Sequence, residues 1–344
     1  MIVVGTLLFL VILAFVAYRS LRTAKRRRVE RSVVVDGLSR RYLAWLPAER
    51  GDRDRLPVAL AFHPGFGTAE GFEEQVALHS ASEAANFIIV YPEGYQKSWN
   101  AGTCCGPALR DKIDEVKFVR AILDDLEKVA AIDRRRIYAT GWSNGARLCY
   151  YLACVMSEEI TAIAPISGAV QGPEVGQKPS RPIPVFHVHG LEDRWVPYNG
   201  GPSVWKNAGV NQPVERGLEF WRQLAGAFLE ARESLFEGLA ECLVYSAEDG
   251  TKVQLCRIAG LGHHWPGARL VGRYKEVAHM FGPLGPPIHL DQMNGEILHF
   301  LAGYALHDPA LPRSGAWVTS AQAQAGARTA TSQPVYRGGS NGSA

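Results

Sequence analysis

The sequence predicts an α/β protein: a mostly parallel sheet with helices on both faces and an antiparallel hairpin at its N-terminal edge. Two observations predict the parallel sheet. Short β-prone runs alternate with longer helical patterns, and these short runs are apolar almost throughout. Strands buried on both faces have this composition, whereas half-exposed strands alternate apolar and polar residues. A third observation predicts the hairpin, since Asp36-Gly37 separates two β-prone runs.

The predicted elements follow one another in the order that such a fold requires. The hairpin joins Ser32–Val35 to Arg40–Leu46, and Pro47 ends it. Five apolar runs predict the parallel strands: Val58–Phe62, Phe87–Tyr91, Arg136–Thr140, Ala162–Ile166 and Val185–His189. Helical patterns lie between them, near Glu73–Asn86, near Asp114–Ala130 and directly after Gly145. A second hairpin around Glu248–Gly250 and a last helix with Asp291 as its N-cap complete the prediction.

Composition limits the functions that the chain can have. It has 344 residues, of which 47% are hydrophobic and 21% are charged, as in ordinary globular proteins. The formal net charge is +3, and seven Lys and Arg residues lie between Arg19 and Arg31, so the remainder is close to neutral or slightly acidic. A nucleic-acid surface is therefore not expected. The Cys and His residues show no spacing typical of a metal site.

The N-terminus combines an apolar segment with a basic one. Ile2–Tyr18 is almost entirely apolar, and the basic residues follow it directly. We interpret residues 1–18 as an uncleaved membrane anchor, because no basic residue precedes them and no cleavage site ends them. Residues 19–31 would form a basic juxtamembrane linker, and the positive-inside rule would place the folded domain on the cytoplasmic side. The alternative is a secretory signal followed by an extracellular domain.

Six cysteines leave the redox compartment open. Cys104 and Cys105 are adjacent, so we do not expect them to pair with each other in an ordinary geometry. Cys242 and Cys256 flank the second hairpin and are candidates for a disulfide. The alternative is that all six are small, buried apolar residues.

The most informative motif is Gly141–Gly145, which has the form G-x-S-x-G. It follows a β-prone run and precedes a helix-prone one, which is the setting of a nucleophile elbow. Glycines at both ends permit a sharp turn that exposes Ser143, and the N–H groups at the helix start face the place where an oxyanion would form. A Gly-rich turn can match this pattern by chance in a chain with 35 Gly, so the interpretation depends on downstream residues.

A serine nucleophile needs a base that takes its proton and an acid that orients the base. The acid candidate is Asp193, which directly follows the strand that ends at His189. Its neighbour Glu192 competes for the role, and Asp193 could instead only cap its own loop. His187 and His189 alternate along the strand, and we expect them to be structural.

The base candidate lies in the loop after the second hairpin, where two histidines are adjacent. They point in different directions from an extended loop, so only one can serve as the base. We favour His263 over His264, because Gly262 gives His263 room to approach Ser143. The chain order Ser, Asp, His is the order that a nucleophile elbow of this type requires.

An oxyanion hole needs backbone N–H groups that point at the developing negative charge. Asn144, the residue after the nucleophile, is the first candidate donor. The second should come from the loop Phe62–Thr68, which follows an earlier strand. Pro64 has no N–H, so Gly65 is the best donor in this loop and Phe66 the next.

Together these motifs resemble the polyhydroxybutyrate depolymerase and feruloyl esterase-like family of α/β-hydrolases. The matching segments are Ser98–Gly106, Gly141–Gly145 with Leu152–Cys154, His189-Gly190 with Asp193 and Val196–Tyr198, and Gly262–Gly267. They span roughly Ser32 to Gly303. The strings W-N-A-G…C-C-G and G-H-x-W-P-G are more specific in combination than the elbow alone.

The resemblance implies an α/β-hydrolase that cleaves carboxylic esters through an acyl-enzyme and needs neither a metal nor an organic cofactor. It implies Ser143 as nucleophile, Asp193 as orienting acid and His263 as general base. Feruloyl-type esters and polyhydroxyalkanoates such as poly-3-hydroxybutyrate are the candidate substrates, either as small molecules or as polymers. Two features depart from the family pattern: the His-Pro-Gly-Phe-Gly oxyanion loop and the predicted N-terminal anchor.

Four tryptophans lie next to the proposed site in the sequence and are candidates for an aromatic acyl pocket: Trp99, Trp142, Trp195 and Trp265. The alternative is that they are core or rim aromatics. We assign residues 32–307 to the catalytic domain and residues 308–344, which are rich in Ala, Gly, Ser, Thr and Gln, to a disordered tail. An acyltransferase and a non-catalytic, membrane-tethered binding protein remain alternative functions, and the oligomeric state stays open.

Overall fold

A ten-stranded sheet runs through the computed structural model, which describes residues 26–47, 55–81, 84, 86–204, 210–269 and 284–307. Its strands are β1 Arg27–Val35, β2 Leu38–Leu46, β3 Leu56–Phe62, β4 Ile88–Pro92, β5 Ile132–Trp142, β6 Ala162–Ile166, β7 Val185–Gly190, β10 Leu229–Leu235, β11 Ala240–Ser246 and β12 Lys252–Ile258. The short strands β8 Gly201–Pro202 and β9 Val210–Asn211 pair separately. The helices are α1 Ala69–Val76, α2 Gly106–Arg110, α3 Glu115–Leu126, α4 Asn144–Val155, α5 Val214–Ala225 and α6 Met293–Ala302.

The sheet is parallel in its centre and antiparallel at both ends. Its order is β1-β2-β4-β3-β5-β6-β7-β12-β11-β10, and the pairs from β4 through β12 are parallel. The predicted fold class and both predicted hairpins are therefore confirmed. At the first hairpin Asp36 and Gly37 both have positive φ, as a two-residue hairpin turn requires.

Helices cover both faces of the sheet, as strand β3 illustrates. Val58, Leu60 and Phe62 face the core on one side, which α3, α4 and α5 cover. Ala59 and Ala61 face the other side, where α1 and α6 pack. Every one of these residues is inaccessible to solvent. Apolar residues at consecutive positions thus serve two cores at once, which explains the unbroken apolar runs of the sequence.

The predicted basic linker is wrong at its C-terminal end, because Arg27–Val35 is strand β1. Two arginines of this strand have carboxylate partners that lie far away in the sequence. Arg28 pairs with Glu73 at 2.8 Å, and Arg31 pairs with Asp125. The folded domain therefore begins before Ser32, and part of the basic run stabilises its first strand.

The predicted membrane localisation is also corrected. Within the described ranges, the chain has no helix that is both long and apolar enough to cross a membrane. The segment interpreted as the anchor, residues 1–18, lies outside the described residues, as does the predicted tail, residues 308–344.

Asp125 should be a strong contributor to stability, because three elements meet at its carboxylate. It accepts hydrogen bonds from Arg31 and from the Tyr42 hydroxyl at 2.8 Å, and Arg31 lowers its pKa below the usual range. We expect Asp125→Asn to reduce the free energy of unfolding at pH 7 by about 1–3 kcal/mol. The contribution is present above the unfolded pKa of about 4 and is lost as the pH falls, so the variant should lose less stability on acidification than the wild type.

Urea unfolding at pH 7 and pH 3 measures both effects. Asp124→Asn is the matched control, because its carboxylate is 70% exposed and pairs only with Arg134 at the surface. We expect the control to change stability by less than about 0.5 kcal/mol. Equal effects of the two substitutions would contradict the structural role of Asp125.

Candidate active site

Ser143 lies at a tight turn between β5 and α4, as the G-x-S-x-G motif predicts. Its backbone has φ 58° and ψ −111°, a conformation that non-glycine residues rarely adopt. The turn is closed by a backbone crossing, because a Cβ at Gly145 would lie 2.2 Å from the Phe62 carbonyl oxygen. Only glycine allows α4 to begin this close to β3, and this approach holds Ser143 at the carboxyl edge of the sheet.

Ser143, His263 and Asp193 form a continuous hydrogen-bonded row. The Ser143 hydroxyl donates to His263 Nε2 over 2.8 Å, and His263 Nδ1–H donates to Asp193 Oδ2 over 2.8 Å. The three residues follow β5, β12 and β7, whose carboxyl ends share one edge of the sheet. The chain order and the geometry are those of a serine nucleophile, its base and an orienting acid.

The loop after β7 holds the Asp193 carboxylate as an anion. Its Oδ1 accepts the backbone N–H groups of Trp195 and Val196, each over 2.8 Å. Burial alone would raise the pKa of Asp193, but its attraction to His263 and the hydrogen bonds from His189 and His263 outweigh burial and keep that pKa well below its usual range. The competitor Glu192 is exposed to solvent, so the geometry favours Asp193.

His264 points away from Ser143 and has a different set of partners. Its Nε2–H donates to the Gly285 carbonyl over 2.9 Å, and its own carbonyl accepts the Ser167 hydroxyl. Burial lowers its pKa, so the ring is neutral near pH 7. The structure thus brings His263, and not His264, to the nucleophile, as the sequence analysis predicts.

The two predicted oxyanion donors are neighbours in space. Asn144 is the first residue of α4, and a Cβ at Gly65 would lie 3.8 Å from Asn144 Cβ. The backbone N–H of Phe66 donates to the Lys97 carbonyl over 2.8 Å, which leaves Gly65 as the better candidate in its loop. The Asn144 side-chain amide meanwhile holds the backbone of Trp99, because its oxygen accepts the Trp99 N–H and its nitrogen donates to the Trp99 carbonyl.

His63, which the sequence analysis did not single out, holds the oxyanion loop in place. Its Nδ1–H donates to the Pro64 carbonyl, and its Nε2 accepts the Gly94 N–H over 2.9 Å. Trp99 Nε1–H donates to the His63 carbonyl over 2.8 Å. Burial lowers the pKa of His63 to about 4, so the ring stays neutral and can accept from Gly94 at pH 7. The available signal was a histidine within the predicted oxyanion loop, directly before Pro64.

The predicted tryptophan pocket is wrong, because all four side chains are buried. Trp99, Trp142 and Trp265 are at most 1% exposed, and Trp195 is 8% exposed. Trp265 donates to Asn294, and Trp195 stacks on the His263 ring at a centroid distance of 5.5 Å. These aromatics pack beneath and beside the site and leave little surface for a substrate. Proximity to the motifs in the sequence could not distinguish a tryptophan that lines a pocket from one that is buried in the core.

The cysteines divide into two pairs and two single thiols. Cys242 and Cys256 face each other across β11 and β12 as a disulfide, in agreement with the expected pairing. The adjacent residues Cys104 and Cys105 are joined as well. Cys149 and Cys154 are buried thiols in α4.

The sheet topology, the elbow and the Ser–His–Asp row define an α/β-hydrolase fold with the geometry of a serine hydrolase. No family model matches the chain. Two solved structures share its fold with a TM-score of 0.50 each. One is a thermostable esterase that is 16% identical, and the match covers 81% of this chain and 63% of the esterase chain. The other is an acetyl xylan esterase from Aspergillus awamori that is 15% identical, and the match covers 74% of this chain and 99% of the acetyl xylan esterase chain.

Sequence similarity connects the chain to esterases. It is 30% identical over 225 residues to feruloyl esterase B of Piromyces equi, 62% of this chain and 40% of that protein. It is 28% identical over 253 residues to the provisionally named esterase NocK of Nocardia uniformis subsp. tsuyamanensis, 69% of this chain and 74% of that protein. The chain thus spans less than half the length of the Piromyces enzyme. It is a relative of feruloyl esterases, as its motifs predict.

The backbone crossing at the elbow predicts which glycine is indispensable. Because a Cβ at Gly145 meets the β3 backbone, we expect Gly145→Ala to destabilise the fold by about 2 kcal/mol or more. Gly65→Ala is the matched control for stability, since its Cβ would make only an ordinary contact, and we expect a change of less than about 1 kcal/mol. Thermal unfolding of both variants measures the difference. Similar melting temperatures would mean that the crossing does not constrain the elbow.

Proposed function

We propose that this chain is a serine hydrolase that cleaves carboxylic esters through an acyl-enzyme. The observation that carries the proposal is the pair of 2.8 Å hydrogen bonds joining Ser143, His263 and Asp193. A non-catalytic binding protein on this scaffold has no need to keep all three groups in register. Relatedness to esterases supports the same reaction class.

The first half-reaction transfers the acyl group to the enzyme. The Ser143 oxygen attacks the ester carbonyl while His263 Nε2 takes the hydroxyl proton. The negative charge that develops on the carbonyl oxygen is stabilised by the backbone N–H groups of Asn144 and Gly65. His263 then gives its proton to the alkoxy oxygen, the C–O bond breaks, and the alcohol leaves.

The second half-reaction restores the enzyme. A water molecule gives a proton to His263 Nε2 and attacks the acyl carbonyl, and the same two N–H groups stabilise the second oxyanion. Collapse of this intermediate returns the proton to Ser143 and releases the carboxylic acid. In both halves Asp193 holds His263 in the tautomer with Nδ1 protonated and stabilises the imidazolium that forms.

We propose feruloyl-type esters as the leading substrates, because relatives carry that name, and polyhydroxyalkanoate oligomers as the alternative that the sequence motifs raise. Phe66 in the oxyanion loop and Leu191 before the acid are each 40% exposed, so the rim offers apolar surface to an aromatic or aliphatic acyl group. Hydrolysis rates for methyl ferulate and for a hydroxybutyrate dimer compare the two classes.

Covalent labelling with a fluorophosphonate probe tests the reaction class directly. We expect the folded wild-type chain to be labelled at Ser143 and the Ser143→Ala variant to remain unlabelled. Ester hydrolysis by Ser143→Ala and by Asp193→Asn should fall by several orders of magnitude, and the two effects should not add. Absence of labelling in folded wild-type protein would contradict the proposal.

The adjacent histidines provide an internal comparison. We expect His263→Ala to reduce kcat by about 10⁴-fold or more, because the base is lost. His264→Ala should lower stability, since Gly285 loses its donor, but it should retain far more activity. Steady-state kinetics on both variants, with melting temperatures as a control, distinguish the roles. Equal losses of kcat would show that the wrong histidine has been assigned.

A further inference from the structure

A second hydrogen-bonded row reaches the Asp193 carboxylate at Oδ2, the oxygen that also accepts from His263. The Tyr150 hydroxyl lies 2.8 Å from His187 Nδ1, and His187 Nε2 lies 2.9 Å from His189 Nδ1. His189 Nε2 then lies 2.8 Å from the Val196 carbonyl and 3.3 Å from Asp193 Oδ2. Tyr150, His187 and His189 are all inaccessible to solvent.

The partners at the end of this row determine where its protons are. A carbonyl oxygen only accepts, so His189 Nε2 carries a hydrogen toward Val196 and Asp193. In a neutral His189 ring Nδ1 is then an acceptor, and His187 Nε2 must be its donor. His187 Nδ1 is left as an acceptor for the Tyr150 hydroxyl.

A neutral His187 ring and a protonated Tyr150 hydroxyl are consistent with the surroundings of this row. Burial and the neighbouring His189 keep the pKa of His187 well below its usual value, and burial raises that of Tyr150, so the hydroxyl keeps its proton. With one proton in each contact, every hydrogen bond of the row has a donor and an acceptor and no ring is charged. An imidazolium here would bring the desolvation cost of a buried ion. Every donor therefore points toward Asp193.

The row connects two parts of the proposed machinery. Tyr150 belongs to α4, the helix that begins directly after Ser143, whereas His187 and His189 belong to β7, which leads into the Asp193 loop. Because Tyr150 is fully buried, the row ends in the core and cannot exchange protons with solvent. Orientation, and not proton conduction, is the role that this geometry permits.

We propose that Tyr150, His187 and His189 are positioning residues, which lock a single tautomer of His189 and thereby hold its Nε2–H on Asp193. This inference rests on the proposed function, because it assigns a purpose to the carboxylate that orients His263. Asp193 Oδ2 would receive two imidazole donors, and the second donor would fix the direction in which the carboxylate faces His263.

The second donor also affects how strongly Asp193 stabilises protonated His263. A hydrogen bond from His189 withdraws negative charge from the carboxylate, so its loss strengthens the attraction between Asp193 and the His263 imidazolium. The groups that face this pair are the N–H donors of Trp195 and Val196, the rings of Trp142 and Trp195, the Ser143 hydroxyl and the neutral His264. Loss of the donor should therefore move the acid limb of kcat/KM to higher pH.

Nuclear magnetic resonance of the full chain tests the proton positions without reference to activity. Two-bond ¹H–¹⁵N spectra of ¹⁵N-histidine-labelled protein distinguish the two neutral tautomers from the imidazolium. We expect His187 and His189 both to be neutral with Nε2 protonated at pH 7, in the wild type and in Ser143→Ala. A Nδ1-protonated tautomer or an imidazolium at either residue would overturn the inference.

Tyr150→Phe tests the functional consequence, because it removes one hydroxyl and keeps the ring. Without this donor His187 Nδ1 loses its partner, so the His187 ring is held less firmly and supports His189 Nδ1 less well. The His189 Nε2–H is then held less firmly on Asp193. We expect kcat/KM to fall by up to about tenfold through kcat, with KM unchanged, and the acid limb to shift upward by up to about one pH unit. Tyr198→Phe is the matched control: the Tyr198 ring also packs near His189, but its hydroxyl bonds to Glu215.

A pair of substitutions at His189 supplies the rescue test. His189→Gln keeps an N–H donor for Asp193, whereas His189→Leu removes it, so Gln should retain more kcat and a pH profile closer to that of the wild type. If His189→Leu does not fold, Tyr150→Phe still decides the matter. If the probe labels the wild type but the pH profiles of the wild type, Tyr150→Phe and Tyr198→Phe coincide, this inference is overturned and the proposed function stands. Unlabelled wild type would instead overturn the proposed function.

Discussion

Asp193 is a negative charge held away from solvent, and the geometry of the site depends on how its two oxygens are satisfied. Backbone N–H groups of its own loop fix Oδ1, while His263 and His189 approach Oδ2. An unpaired carboxylate at this depth would take up a proton and would then no longer orient the base. The short turn after β7 thus determines the tautomer of a histidine 70 residues further along the chain.

The second constraint is the close contact between the start of α4 and the end of β3. Gly145 lets two backbones cross, and the crossing holds Ser143 in a backbone conformation that it would not adopt alone. The same crossing brings the oxyanion loop after β3 next to Asn144. One packing contact therefore sets the proposed nucleophile and the proposed oxyanion donors, whereas the Asp193 loop sets the proposed acid and base. The hydrogen bond between His263 and Ser143 is where the two parts meet.

Local patterns predicted those parts of the molecule whose partners are close in sequence or fixed by topology. Alternation of strands and helices gave the sheet, and the carboxyl edge of a parallel sheet gathers Ser143, Asp193 and His263 whatever their separation. The arginines of β1 were misinterpreted because Glu73 and Asp125 lie 45 and 94 residues away from Arg28 and Arg31. Nothing in a local window distinguishes an arginine that pairs within the fold from one beside a membrane.

The burial of side chains near the motifs could not be predicted from the sequence either. The sequence analysis expects His187 and His189 to be structural, and both are buried, but the contact of His189 with Asp193 depends on a turn that bends the chain back onto its own strand. Trp195 and Trp142 flank His263 with their faces buried, so they exclude water from the imidazole without offering a surface to the acyl group. A dry environment strengthens the hydrogen bonds of the proposed triad. Apolar surface that an ester could contact is therefore offered by Phe66 and Leu191 at the rim, and not by the four buried tryptophans.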